Sequence, residues 1–323
     1  MPNTERIPYN GRRKNAKGVE TLVTIAGASA ALSAAILWAF SAILFEDISL
    51  RLSPARLNFY KGIIAVVLLA ATSLILGEKI PVVPSEEITV LVISGVIGIA
   101  IGDTAYFQAV QKLGARRALT LFTLAPPLAA LIALIFLGEQ LDLLTWIGIL
   151  LTAGGVMWVV TENTHSAEKI QMQKENLVPG ILFGAFAALC QASGVVMTRS
   201  VLTDTALTTL QSTIVRLAPA LIFLLIIIRF SSTSKNAATD NRQKDKLRRL
   251  IFLSSFLGAY ICLWLQQIAI ENAPAGIAQT LLSTSPIFIL PMMALRGEKV
   301  SLRAIAGAAV AIFGITLVFG LIG

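Results

Sequence analysis

An all-α membrane protein, with ten transmembrane helices in two inverted five-helix repeats, is the fold class that the sequence predicts, and three observations predict it. The first is composition: 56% of the 323 residues are hydrophobic, 14% are charged and the mean hydropathy is +0.79. Soluble domains are about 45–50% apolar and about 25% charged, so a chain of this make-up has lipid as its solvent. The second is a series of apolar runs, each near the roughly 20 residues that cross a bilayer. They fall at 27–45, 56–77, 89–111, 118–137, 142–160, 177–199, 207–229, 250–270, 274–295 and 302–322. The third is a self-match of the second half on the first at an offset of 159 residues.

Residues 1–26 read as a polar tail carrying "NGRRKNAK". The next run, "GASAALSAAILWAFSAILF", is nineteen residues long. That exceeds the core of a secretory signal, and no small-residue cleavage pattern comes after it, so it reads as the first span. Short loops join most of the other runs, and the longest polar breaks are "TENTHSAEKIQMQKEN" and "SSTSKNAATDNRQKDKLRR". Only the former divides the runs five and five, which places one repeat at 27–160, a linker at 161–176 and a second repeat at 177–322.

The self-match holds register over the ends of both halves. Gln108 falls on Gln267, Pro127 on Pro286, Gly138 and Glu139 on Gly297 and Glu298, Leu143 on Leu302, Gly148 on Gly307 and Gly155 on Gly314. A copy that comes after an odd number of spans enters the membrane from the opposite face. The repeats are therefore inverted, which is the architecture behind alternating access in many secondary transporters.

On these residues the chain resembles the drug/metabolite transporter superfamily, in the group with two EamA domains. The stretches that carry the likeness are "GARRALTLFTLAPPLAALIALIFLGEQL" and "APAGIAQTLLSTSPIFILPMMALRGEKV", each a loop, a proline-containing span and a Gly-Glu exit. The resemblance covers residues 27–322. It implies ten helices around a central cavity, no bound cofactor, and a solute that ranges over amino acids, metabolites, nucleotide sugars and drugs.

Charge inside the spans marks the candidate site. Of eighteen acids only Asp103 lies well inside a run, in "SGVIGIAIGDTAYFQAV", and of twenty-six Lys and Arg only Lys61 and Arg216 do. An intramembrane charge is costly and faces a cavity or a partner. Asp103 has three readings: a proton or solute coupling group, the partner of Lys61 or Arg216, or a polar group packed near Gly102. For Lys61 and Arg216 the alternatives to solute contact are an ion pair and snorkelling to the interface. Tyr260, Trp264, Gln267 and Glu271 recur at helical spacing, so one helix side offers Trp264 and Gln267, with Tyr106 nearby, as a surface for an amphipathic solute. Packing of the same aromatic side chains is the alternative. Pro127 and Pro286, read as mid-span kinks, are expected to shape the cavity.

Other features read as structural. Gly95, Gly98 and Gly102 line one helix side for close packing, as do Gly148 with Gly155 and Gly307 with Gly314. Glu139 and Glu298 read as wet groups at helix ends. Cys190 and Cys262 read as small buried hydrophobes, and the single His165 sits in a polar connection, so no metal site is expected.

Enzyme classes fare poorly. "AIGD" has Ala100 where an intramembrane aspartyl protease needs the first glycine, and a rhomboid-like serine enzyme needs an intramembrane histidine that the spans lack. No Walker motif supports ATP drive. The net charge of +8 sits in tails and loops, so it bears on topology and lipid head groups rather than on nucleic acid.

The reading is a secondary transporter in the plasma (inner) membrane, an exporter of small organic solutes driven by exchange or by protons. Its partners are the solute and the bilayer, and the oligomeric state stays open. The alternative is a non-transporting scaffold or sensor on the same fold. With both ends cytoplasmic, as the resemblance implies, the inner segments hold seven Lys and Arg and the outer loops seventeen, so the charge bias favours the ends outside.

Overall fold

In the computed structural model, residues 17–78, 81, 83–160, 169–230, 241–295 and 302–318 are described, and every regular element among them is helical. In chain order the helices are α1 (Lys17–Ser49), α2 (Pro54–Ile75), α3 (Ser85–Gly95), α4 (Thr104–Leu113), α5 (Ala115–Phe122), α6 (Ala125–Leu137) and α7 (Leu143–Val160). They continue with α8 (Lys169–Asp204), α9 (Thr209–Phe230), α10 (Asn241–Ser255), α11 (Cys262–Asn272), α12 (Ala275–Leu282), α13 (Ser285–Leu295) and α14 (Leu302–Val318). A π-helical segment, Val96–Asp103, joins α3 to α4, and a second, Phe256–Ile261, joins α10 to α11.

Among the described residues, six helices are long and apolar enough to cross a membrane: Ile25–Ser49, Pro54–Ile75, Ser85–Leu113, Leu177–Asp204, Thr209–Phe230 and Lys244–Asn272. Shorter apolar helices cover Ala125–Leu137, Leu143–Trp158, Ala275–Ile289 and Ile305–Val318. The chain is an integral, multi-pass membrane protein. Helix α1 begins inside the stretch read as a tail, and α8 inside the stretch read as a linker, because helices in lipid run on past the apolar core into the interface.

The offset seen in the sequence reappears in the coordinates. Ser85–Leu113 and Lys244–Asn272 correspond end to end at 159 residues, and the π segments fall at matching places within them. Helices α7 and α14 start 159 residues apart and pack on each other. A β-carbon on Gly155 would lie 2.5 Å from the Ala311 nitrogen and 2.7 Å from the Gly307 oxygen, so the two backbones touch where both sequences have glycine. Helices α2 and α9 are 22 residues each and also pack together.

Where single spans with proline kinks were expected, two breaks stand. The run 118–137 is interrupted between Phe122 and Ala125, and the run 274–295 between Leu282 and Ser285. Pro126 and Pro127 therefore sit in the first turn of α6, and Pro286 in the first turn of α13, where a missing N–H costs nothing. The prolines start half-helices rather than bend whole ones. Prolines inside helices are instead Pro179 in α8, Pro219 in α9 and Pro291 in α13.

Candidate functional site

The π segment Val96–Asp103 widens the helix by one residue and loosens its carbonyls. Asn58 of α2, fully buried, takes them up: its Nδ2 donates to the Ile99 oxygen at 2.8 Å and to Thr104 Oγ1 at 3.0 Å. Asp103 closes the segment, and its carboxylate accepts a hydrogen bond from Lys61 Nζ in a buried ion pair. The Lys61 side chain has no exposed surface and Asp103 is 8% exposed. Lys61 Nζ also lies 5.3 Å from the Phe107 ring centroid and 5.8 Å from that of Trp38. Lys61 therefore points inward rather than snorkelling.

Asp103 lines a central cavity of about 50 Å³. Both halves of the chain build it. Trp38, Ile99, Leu119 and Phe122 come from the first half, and Gln191, Arg216, Cys262, Leu263, Gln266, Gln279, Leu282, Ser283, Ser285 and Pro286 from the second. Asp103, the last residue of the first π segment, and Cys262, the residue just after the second, correspond at the 159-residue offset, and both line this space. Both helix breaks reach it as well, through Phe122 and through Leu282 to Pro286. A volume of this size holds a few waters and is far below the roughly 300–1,000 Å³ of a formed ligand pocket.

Arg216 is 4% exposed and donates from Nε to Ser94 Oγ at 3.0 Å. A β-carbon on either Gly98 or Gly194 would sit 3.4 Å from its Nη2, so the two glycines form a slot for the guanidinium. The glycine stripe of α3 and the π segment is thus a packing surface with a charged occupant. Two bases and one acid therefore meet at the site, Lys61 paired with Asp103 and Arg216 on the same cavity wall. Among the described residues, Gln279 Oε1 and Ser283 Oγ, buried atoms of two cavity-lining residues, have no hydrogen-bond partner.

Trp264, Gln267 and Tyr106 are placed elsewhere. Trp264 Nε1 donates to Thr209 Oγ1 at 3.2 Å and Gln267 Nε2 to Ser212 Oγ at 3.0 Å, both against α9. Tyr260, on the same side, shares a 2.7 Å hydrogen bond with Thr72 of α2. The cavity meets Leu263 and Gln266 of α11 instead. Tyr106 is 1% exposed, in an aromatic cluster with Trp38, Phe107 and Phe122. Pro286 lines the cavity, and Pro127 lies one turn past the opposite break without lining it.

Glu139 is not the wet helix-ending group that the sequence suggests. Gly138, at φ +64°, turns the chain back at the end of α6. Glu139 then pairs with Arg199 of α8, and its other oxygen accepts the Ala275 N–H at 2.9 Å at the start of α12. Arg199 Nη1 also donates to the Ile270 oxygen at 2.5 Å, at the end of α11. One ion pair therefore ties three helix ends from both halves. Its repeat counterpart Glu298 lies outside the described residues. Arg199 escaped the inventory of buried charge because it stands at the very end of its apolar run.

Comparison with known proteins agrees with this architecture. The model of the EamA-like transporter family matches the chain twice, over residues 25–161 and 178–320. An uncharacterized transporter of Archaeoglobus fulgidus is 28% identical over 289 residues, which is 88% of this chain and 95% of that protein. A crystal structure at 17% identity shares the fold, with a TM-score of 0.70 over 93% of this chain and 97% of the other. Two family matches that together span most of the chain, on an apolar helical bundle, show that the protein belongs to the EamA-like transporter family, within the drug/metabolite transporter superfamily, and is a membrane transporter.

Proposed function

We propose that the chain is a secondary transporter that exports small organic solutes by alternating access. The six long helices and the four shorter apolar ones make ten spans, in inverted repeats over 27–160 and 177–322. The cavity at the meeting of the two halves carries this reading, because it combines buried charge, orphaned polar atoms and two broken helices. Its small volume corresponds to a narrowed stage of the cycle, and rocking of one repeat against the other widens it to either face. The Glu139–Arg199 pair joins the halves at one end of the bundle and has to part when that face opens.

In this account Asp103 is chiefly the fixed counterion of Lys61. A second reading, proton coupling at Asp103, is favoured by its position on the cavity wall. Asp103→Asn separates the two: coupling predicts loss of proton-driven transport with solute exchange retained, and the counterion role predicts lower folded yield. The proposal as a whole is tested by comparing metabolites in medium and cells with and without the protein. The solutes that change are then tracked out of vesicles holding the purified chain. Export predicts that at least one solute moves outward and that vesicles reproduce it. No flux of any such solute would leave the scaffold or sensor reading.

A further inference from the structure

We infer that the central cavity selects organic monoanions, small solutes with one carboxylate on an apolar body, and that Arg216 is the group that takes the carboxylate. The inference rests on the transporter reading and names its substrate class. Three observations carry it.

The first is charge. Lys61 and Asp103 hold each other in a direct pair, which leaves the Arg216 guanidinium on the wall without a direct ion-pair partner among the described residues. Arg216 stands in no ion pair among the described residues, and Ser94, a neutral hydroxyl, is the acceptor that it holds. A guanidinium carries five donors in a planar fork that fits a carboxylate two-on-two. Buried with one neutral acceptor, it bears a desolvation cost that an arriving anion relieves.

The second is what the cavity withholds. A zwitterion or an amine needs a free carboxylate for its ammonium group, and Asp103 is already engaged by Lys61. A dianionic phosphate brings more negative charge than one guanidinium offsets. A monoanion matches the net charge of the three groups.

The third is the remaining wall. Gln279 Oε1 and Ser283 Oγ are buried without partners in two residues that line the cavity, so a solute with its own hydroxyl or amide meets an acceptor and a hydroxyl. Leu119, Phe122, Leu263 and Leu282 supply the apolar surface for its body.

The test uses binding, so that it stands apart from flux. The purified full chain in detergent is melted with a fluorogenic thiol reagent, which reads the exposure of Cys190 and Cys262, both buried and free in the fold. Four probes share one phenyl body and differ in the head: phenylacetate, phenylalanine, phenethylamine and phenylacetamide. A ligand that binds only the folded state raises the melting temperature with concentration. The expected result is a saturable rise with phenylacetate, and none with the other three at the same concentration. Arg216→Gln should weaken that response by roughly ten- to a hundredfold, as loss of a charged hydrogen bond does. If Arg216→Gln does not fold, Arg216→Lys serves in its place: it keeps the charge but loses the two-donor fork, and should weaken the response while the melting curve without ligand stays cooperative. A rise with phenylalanine or phenethylamine in place of phenylacetate, or no rise with any probe, overturns the assignment. So does an undiminished phenylacetate response in Arg216→Gln or, in its stead, Arg216→Lys. Should the phenylacetate response appear while vesicles show no flux of any solute, the anion site stands and the transport reading fails.

Discussion

Lys61→Met is the substitution whose consequence the packing dictates most directly. Methionine keeps the length and the apolar stem but removes the charge, and Asp103 is then left 8% exposed with its direct partner gone. Breaking a buried ion pair by deleting one member costs about 3–5 kcal/mol, since the desolvation of the survivor is no longer offset. The cation–π contacts of Lys61 with Phe107 and Trp38 are lost as well, and each is worth about 0.5–2 kcal/mol. Arg216, on the same cavity, can take over part of the pairing, which favours the lower end of the range. About 3–5 kcal/mol is two to four powers of ten in the folded-to-unfolded ratio. Adding Asp103→Asn removes the orphaned charge and should restore most of the loss, because a neutral pair of similar volume is often as stable as the ion pair. Thiol-reactive melting on Cys190 and Cys262 reads all three variants against the parent. A Lys61→Met protein as stable as the parent, or a double variant no better than the single one, would refute the counterion account.

Other predictions come from contacts of the same kind. Gly155→Ala should lower folded yield by about 1–3 kcal/mol of stability, because its β-carbon meets the α14 backbone at 2.5 Å, whereas Gly154→Ala, with nothing within 4 Å, should behave as the parent in the same melting assay. Asp142 caps α7 by accepting the Thr145 N–H at 2.8 Å, and hydrogen bonds from the Thr145 hydroxyl and backbone hold its carboxyl below the usual carboxylate range. That contribution is present above the unfolded-state pKa of about 4 and lost as pH falls through the lower folded value. Asp142→Asn, which caps without titrating, should flatten the stability curve in acid, and an unchanged curve would contradict the cap. On the cavity, Gln266→Ala and Gln279→Ala should weaken apparent solute affinity in vesicle flux, whereas Trp264→Phe and Gln267→Ala, whose polar tips are engaged by α9, should leave it unchanged.

The parts of the molecule that the sequence made legible are those set by solvent and by repetition. Apolar runs separated by polar breaks mark where helices form, since lipid offers the backbone no other partner, and the offset carried by Gly148, Gly155 and Pro127 finds its counterpart in helix limits 159 residues apart. Asp103 stood out because a carboxylate among apolar residues has few places to go. The hidden features depended on contacts between distant segments or on departures from regular geometry. The face assigned to Tyr260, Trp264 and Gln267 does lie together, but its polar tips meet Thr72 of α2 and Thr209 and Ser212 of α9, so α11 turns Leu263 and Gln266 to the cavity instead. The breaks fall on Thr123 and Leu124 and on Ser283 and Thr284, residues that also occur inside apolar helices, so the prolines alone suggested kinks. Glu139 and Arg199, sixty residues apart, each look like an ordinary helix end until the fold joins them.

The central claim is that solute passes through the cavity between the two halves, and counterflow in vesicles tests it most directly. Purified protein is reconstituted, loaded with an unlabelled solute from the efflux comparison, and offered the labelled form outside. Ser283, 7% exposed and part of the cavity lining, is replaced by leucine in a parallel preparation, which adds apolar bulk to a space of roughly 50 Å³. The account predicts saturable counterflow with the parent chain and its loss in Ser283→Leu at equal folded yield. Saturable counterflow at the parental rate in Ser283→Leu would contradict it, as would a parent protein that exchanges nothing.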